Sequence, residues 1–250
     1  GTPATQREQY LEHLCTLWLG NWREAKGLPE DLTAVQKQRI LQLLAHHMTK
    51  HKLRQIGFGK ASRVVTPALQ KVDEQHSAQF LRTVANHSGL LQADPSGHYR
   101  FIHPIVQDYL TAVFIQETRQ ERQLLAHIDH ALWHQTILFF VTITQNPAPI
   151  VHACLQKAPP SVAALTLAET CLQELPNHPE IQRLSKRLHS SGSNPNLNVR
   201  LTYAQVVKTI HLRNMVRLDE KTAVAFQLLP IAMYQLFIYA QRKNGRFCQP

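Results

Sequence analysis

Apolar residues recur every three or four positions along most of this 250-residue sequence, a spacing typical of helices that pack one face on a core. A first helix is predicted over residues 6–23, and a second begins after the candidate caps Asp31 and Thr33. Their apolar faces consist of Tyr10, Leu11, Leu14, Leu17, Trp18 and Trp22 in the first helix and of Val35, Ile40, Leu41, Leu44, Ala45 and Met48 in the second. Shorter helices are predicted over residues 62–72 and 77–87. The chain is therefore expected to be mainly α.

One segment breaks the helical pattern and predicts a β-hairpin. Residues 90–92 and 99–102 are candidate strands, and Pro95 and Gly97 suit the tight turn between them. His103 and Pro104 then begin another helix, since proline is tolerated at the first helical position. Its predicted apolar face consists of Ile105, Tyr109, Leu110, Val113 and Phe114. Helices, a hairpin and a closing helix together predict a winged helix, which is a helix-turn-helix unit with an added wing.

The second half of the sequence is also helical in its spacing. Proline-bearing breaks between residues 119 and 187 separate helices in pairs, which indicates a helical-repeat-like bundle. Two further helices are predicted over residues 203–212 and 222–242. The predicted organisation is a helical segment (1–30), a winged-helix domain (31–118), a helical domain (119–189), a polar linker (190–198) and a C-terminal helical segment (199–250).

Charge and cysteine content narrow the class of protein. The formal net charge is +10, which favours nucleic acid, anionic lipid or an acidic protein surface as a partner. The cysteines lie far apart, as expected of reduced packing thiols in a cytoplasmic protein; they are Cys15, Cys154, Cys171 and Cys248. No signal segment is evident, and the longest apolar run, residues 137–143, is far shorter than the ~20 residues of a spanning helix. We therefore expect a soluble protein that has no membrane partner.

Motifs of catalysis and metal binding are absent from the sequence. There is no GxSxG segment, and the adjacent acids at positions 73–74 and 219–220 diverge on a helix. Two groups of residues at helical spacing are candidate metal ligands. They are His127, Asp129, His130 and His134 in one group and His47 and His51 in the other. Neither group completes a ligand set with a Cys pair or an HExxH motif, so solvated histidines are the better interpretation. We predict a chain that is not an enzyme and holds no metal.

A basic segment is a candidate contact for phosphates. It consists of Lys50, Lys52, Arg54, Lys60 and Arg63. These residues could bind nucleic acid or a nucleotide, but only Phe58 is interleaved with them, which equally favours a solvated or interdomain basic face. The string Gly57–Ser62 does not fit the GxxxxGK[ST] phosphate loop, because Ala61 follows the lysine. It is predicted to be an exposed basic turn.

Residues 99–112 carry the most specific pattern of the sequence. The order Phe101, His103, Gln107, Asp108, Tyr109 resembles the Phe-x-His…Gln-Glu-Tyr-Leu-Ala-Ala signature that ends the winged-helix domain of NACHT-type signal-transduction ATPases. Segments from residue 3 to about 175 follow the order of that family, most closely in the first two-thirds. Asp108 replaces its usual glutamate, and no phosphate loop or acidic Mg²⁺ strand is present. The chain thus resembles the section that follows the catalytic domain.

The resemblance implies a role for His103, namely to reach the β-phosphate of ADP and hold a closed resting state. It also implies ADP or ATP with Mg²⁺ in the full-length protein, the ATPase domain as a partner, and an activating ligand or protein sensed by the later helices. Oligomerisation on activation and a role in bacterial defence or stress signalling are further expectations. From the residues alone His103 could instead only cap the helix, and Gln107 and Tyr109 are expected to pack that helix on the hairpin. The alternative function is a basic winged helix that binds nucleic acid.

Overall fold

The computed structural model describes residues 3–20, 32–69, 77–159, 161–175, 179–194, 196–213, 215–217, 222–224 and 231–243. The chain forms two compact units. The first consists of residues up to His127 together with Ala131–Gln145, and the second of Ile128–His130 together with the residues from Asn146 onwards. The predicted mainly helical fold is confirmed. None of the described helices combines the length and apolarity needed to cross a membrane.

Helix α1 spans Pro3–Gly20 and packs on the first unit through a stripe different from the predicted one. Leu11, Cys15 and Leu19 are buried at four-residue steps, whereas Tyr10 is 66% exposed and Leu17 41% exposed. The prediction for Tyr10 and Leu17 is wrong because Cys15, a small apolar residue, centres the packed face. Burial raises the pKa of the Cys15 thiol to about 12, as expected of a packing cysteine.

Helix α2 spans Ala34–Lys50 and has a defined cap at each end. Thr33 and Gln36 form a reciprocal capping box, which confirms Thr33 as the cap; Asp31 lies outside the described residues. At the other end, the N–H of Lys52 donates to the carbonyl of Thr49 and the N–H of Leu53 donates to that of Met48. Lys52 has a left-handed φ of 57°. This is a Schellman termination with lysine at a position that favours glycine. The predicted face is buried except at Val35, which lies exposed in the first turn.

A three-stranded antiparallel sheet follows, in the order β1-β3-β2. Strands β2 (Leu91–Ala93) and β3 (His98–Phe101) form the predicted hairpin, and Gly97 at its turn has φ +79°. The additional strand β1 (Ile56–Gly57) pairs Ile56 with Tyr99. No strand was predicted at these two residues, because a two-residue strand exists only through its partner.

Helices α3 (Phe58–Leu69) and α4 (Ser77–His87) lie between β1 and β2 in sequence. Helix α4 has the predicted bounds, whereas α3 begins four residues before the predicted start. The string Gly57–Ser62 is therefore not an exposed turn, since all but its first residue belongs to α3. The order α2-β1-α3-α4-β2-β3 is that of a winged helix, with α3 and α4 as the helix-turn-helix pair and the β2-β3 turn as the wing.

Helix α5 (Pro104–Glu117) is largely buried, because both α2 and α7 (Ala131–Thr144) pack against it. The short α6 (Arg122–Leu125) joins α5 to α7. The predicted apolar face of α5 is partly wrong. Its core residues include Val106, Ala112 and Ile115, whereas the predicted Ile105, Val113 and Phe114 are only half-buried.

In the second unit, α8 (Ala148–Gln156) packs on α9 (Val162–Glu174), and α10 (Ile181–His189) contacts both. Residues 190–198 were predicted as a linker. In the structure Ser190–Ser193 form a 3-10 turn, and the helix α11 (Leu197–Arg213) packs on α9.

Two short strands and a helix follow α11. Strand β4 (Val216–Arg217) pairs with β5 (Ala223–Val224), and α12 (Ile231–Lys243) packs on α11. The helix predicted from residue 222 is therefore wrong at its start, because backbone pairing with β4 holds residues 223–224 in a strand.

Candidate functional site

His103 stands between the end of β3 and the first turn of α5. Its backbone is extended, and its ring nitrogen Nδ1 accepts the backbone N–H of Ile105 at 3.1 Å, so the side chain caps the helix. A neutral imidazole that accepts at Nδ1 carries its proton on Nε2. The His103 side chain is exposed, with Pro104 at the first helical position beside it. The cap thus selects the tautomer that has an N–H donor on the far side of the ring.

Asp108 lies one turn further along α5, buried beneath an arginine of the loop that follows α2. Arg54 binds it through two N–H groups, with Nη1 2.8 Å from Oδ1 and Nη2 3.3 Å from Oδ2. The carboxylate is 5% exposed and the guanidinium 38% exposed. Burial raises the pKa of Asp108, while the hydrogen bonds and charge of Arg54 act in the opposite direction. Arg54 is therefore the counter-ion of a buried carboxylate rather than a free surface cation.

Gln107 is the centre of a buried polar network between α2 and α5. Its Nε2 donates to Thr49 Oγ1 and to the carbonyl of Leu53, both at 3.0 Å. The hydroxyls of Thr49 and Thr111 lie 3.1 Å apart, and Thr111 also donates to the carbonyl of Gln107. Gln107 thus joins α5 to the end of α2. The expectation that it packs the helix on the hairpin is wrong, because its amide reaches backbone and hydroxyl partners around the Schellman turn instead.

Tyr109 and Phe101 are buried on different sides of the same region. The ring of Tyr109 meets that of Phe139 on α7 edge to face, with centroids 5.7 Å apart. Phe101 is the last residue of β3 and pairs with Leu91 across the hairpin. Tyr109 therefore packs α5 on α7, which corrects the expectation that it packs on the hairpin.

The structure separates the predicted motif into one exposed residue and four buried ones. His103 faces solvent, whereas Phe101, Gln107, Asp108 and Tyr109 fix the start of α5 to the sheet, to α2 and to α7. The motif thus holds a helix N-terminus, with its capping histidine, in one position on the first unit.

The predicted basic surface is exposed at Lys50, Lys52, Lys60 and Arg63. Lys50 and Lys52 lie at the end of α2, and Lys60 and Arg63 lie in the first two turns of α3. Arg63 Nε donates to the carbonyl of Gly59 one turn earlier. The predicted basic residues thus lie at the end of α2, in the loop after it and at the start of α3.

The histidine groups hold no metal-binding arrangement. Among the residues that the structure describes, no three His, Cys, Asp or Glu side chains converge as metal ligands. The ring of His127 stacks on Trp133 with centroids 4.4 Å apart, and Asp129 forms an ion pair with Lys157. The rings of His47 and His51 lie 4.4 Å apart.

Thr49, Leu53 and Thr111 are partners of the motif that were not predicted from the sequence. Thr49 and Gln107 are separated by 58 positions, and Arg54 and Asp108 by 54. No local sequence signal marks these partners, because the left-handed φ of Lys52, which precedes Leu53 and Arg54, is visible only in the structure.

Residues 7–115 match the family described as the winged helix-turn-helix domain C-terminal to NACHT. This segment is therefore similar to the winged-helix domain that follows NACHT. The match supports the expectation that the chain is a C-terminal part of a NACHT-type protein, and a winged helix in that position is a non-catalytic, regulatory section. No curated protein and no solved structure matches the chain. The NACHT-associated match ends within α5 and does not include the second unit.

Proposed function

We propose that the winged-helix domain closes on ADP bound to a NACHT ATPase domain, with His103 as the contact, and so holds the resting state. The observation that carries this proposal is the capping geometry of His103. Nδ1 is engaged by the Ile105 N–H, and the exposed ring therefore offers Nε2–H as a donor to a partner outside the first unit. Bound ADP would supply a negatively charged phosphate oxygen as acceptor, the kind of group that also favours a helix N-terminus.

The residues around His103 would couple movement at this contact to movement of the whole domain. Gln107 and Asp108 tie the first turns of α5 to α2 and to the loop after it, so the backbone at His103 cannot move away from a ligand without either breaking these buried bonds or moving the domain as a body. Rigid-body movement is the cheaper route, since each buried hydrogen bond left unmade costs about 1–3 kcal/mol. A domain of this kind would respond as a two-state element.

The second unit would then bias that element. In our proposal a ligand or partner protein bound by the helices from α8 onwards favours the open state, in which ADP exchanges and the ATPase assembles. Defence or stress signalling in the cytoplasm is the setting that we propose for such a switch. The proposal for the second unit rests on its place after the regulatory domain.

The test uses the NACHT-containing protein and measures the rate of ADP release. His103→Asn retains a capping side chain but removes Nε2–H, whereas His103→Ala removes both. Loss of one hydrogen bond to a charged group, worth about 1.5–3 kcal/mol, predicts that both variants release ADP roughly ten- to a hundredfold faster. The control is His98→Asn, which changes a histidine of the wing and is expected to leave release unchanged. If His103→Asn releases ADP at the unmodified rate while His103→Ala does not, the residue is only a cap and the proposal is refuted.

A second candidate is nucleic-acid binding by the winged helix, favoured by the exposed Lys50, Lys52, Lys60 and Arg63. Arg82 of α4 is not counted in this surface, because its guanidinium lies over the ring of Phe58, 5.7 Å from the ring centroid. Duplex binding that weakens steeply with salt and falls on Lys50→Ala would support this candidate. If this candidate is correct, replacing those lysines would not change the rate of ADP release.

A further inference from the structure

The positive charge of the chain is concentrated at its C-terminal end. Residues 181–250 contain 11 Lys and Arg against two Asp and Glu, a net charge of +9. The preceding 180 residues contain 16 Lys and Arg against 15 Asp and Glu, a net charge of +1. Nearly the whole excess therefore lies on the helices from α10 to α12 and on the segments between them. A strongly basic segment of this kind attracts polyanions, and its binding to them depends on salt.

A cleft in the second unit lies among these helices. Helices α11 and α12 and the 3-10 turn before α11 enclose a cavity of about 600 Å³. Arg200 and Arg242 contribute guanidinium groups, and Tyr234 and Tyr239 contribute aromatic rings. None of the described lining residues is acidic. Arg200 donates through Nη1 to the carbonyl of Asn194, and its guanidinium carries further N–H donors that can contact an anion.

The cleft also brings exposed aromatic rings next to the cations. Of the residues of α12 that line the cleft, Tyr234 is 56% exposed and Tyr239 is 37% exposed. Aromatic rings in a basic groove are the arrangement on which unpaired bases stack while arginine and lysine contact the phosphates. Stacking requires a free base face, which a duplex does not offer along its length. The cleft therefore favours a single strand over a duplex.

Helix α10 extends the basic surface up to the cleft. Its Leu184 and Leu188 are buried, whereas Arg183, Lys186 and Arg187 are exposed. The helix continues directly into the turn Ser190–Ser193, of which Gly192 and Ser193 line the cleft. The cations of α10 are thus placed to follow a strand that leaves the cleft.

We propose that the cleft between α11 and α12 binds single-stranded nucleic acid. Tyr234 and Tyr239 stack on bases, Arg200 and Arg242 contact the adjoining phosphates, and α10 contacts the backbone beyond. The proposal does not rest on the ADP switch, because every residue that it uses lies in the second unit of this chain.

The experiment measures fluorescence anisotropy of a labelled 20-nucleotide oligodeoxythymidine with the 250-residue chain, from 50 to 300 mM NaCl. An abasic strand of the same length retains the phosphates and removes the bases. The double variant Arg200→Ala/Arg242→Ala should lower the salt slope by about 1.4, since each phosphate contact on a single strand contributes about 0.7. Tyr234→Ala/Tyr239→Ala should weaken binding to the thymidine strand about thirtyfold or more, and binding to the abasic strand hardly at all.

The matched control is Arg39→Ala/Arg122→Ala, which removes two exposed arginines from the first unit and is expected to leave affinity and salt slope unchanged. Circular dichroism verifies that each variant is folded. Three results would overturn the proposal. They are no binding of the strand at 50 mM NaCl, equal binding of the abasic and thymidine strands by the unmodified chain, or a loss on Arg39→Ala/Arg122→Ala as large as that on Arg200→Ala/Arg242→Ala.

Discussion

Arg54 and Asp108 differ in burial, and this difference predicts an asymmetric response to mutation. Arg54→Ala would leave a carboxylate that is 5% exposed without its counter-ion, whereas Asp108→Asn would leave a guanidinium that is 38% exposed and open to water. Removing one partner of a fully buried pair costs about 3–5 kcal/mol, and a surface pair contributes about 0–1 kcal/mol. The half-exposed arginine places Arg54→Ala between these limits, at about 1–2 kcal/mol of unfolding free energy.

The assay is urea unfolding followed by tryptophan fluorescence. The chain contains three Trp, at positions 18, 22 and 133, and all of them lie in the spans of the first unit, so the signal reports on the unit that holds the ion pair. With a denaturant slope of about 2 kcal/mol per molar, the expected loss lowers the midpoint by roughly 0.5–1 M. Asp108→Asn should lower it less, and the double variant should unfold close to Asp108→Asn.

The pH dependence gives a second test of the same reasoning. Burial raises the pKa of Asp108, so the folded state binds this proton more tightly than the unfolded state does. Stability linked to that proton is present below the unfolded pKa and is lost as the pH rises through the folded pKa. Without Arg54 the folded pKa rises further, so the cost of Arg54→Ala should be largest near pH 7 and shrink as the pH falls below that pKa. An equal cost at pH 7 and pH 4, or a larger cost for Asp108→Asn, would refute the assignment.

Two further predictions concern the residues next to this pair. Lys52 has a left-handed φ of 57°, so Lys52→Gly should raise the unfolding free energy of the first unit by about 0.5–1 kcal/mol. The control Lys52→Ala keeps the backbone strain and should not raise the unfolding free energy. Equal unfolding free energies of the two variants would contradict the Schellman assignment. Gln107→Met retains the side-chain volume but removes the amide that donates to the carbonyl of Leu53 and to the hydroxyl of Thr49. It should lower the unfolding free energy by about 1–3 kcal/mol in the same urea assay. An unchanged midpoint would show that water replaces the amide.

Local chemistry made part of the first unit predictable from sequence. Thr33 capped the helix that it was expected to cap, and Gly97 formed the turn of the hairpin. The face of α5 was predicted poorly, because a helix packed on two sides has no clean apolar stripe. Strand β1 and the partners of Gln107 could not be predicted, since each depends on contacts about fifty residues away in sequence.

The candidate site was predictable only in its residue types. A histidine before proline indicated a cap, and the structure adds which ring nitrogen does the capping. Arg54 was grouped with surface cations, because a sequence does not show that a carboxylate 54 positions away is buried beneath it. The cleft lined by Arg200 and Tyr234 left no motif, since α11 and α12 bring those residues together from separate helices.

The contact of Tyr109 with Phe139 has a consequence for how the protein can be divided. The family match ends at residue 115, yet α7 covers one side of α5 from residues 131–144. A fragment that stops after α5 would lack Phe139 and Trp133, and would expose the ring of Tyr109 and the neighbouring core to water. The smallest piece that can be expressed with its interior closed therefore extends to Gln145, some thirty residues past the homologous region.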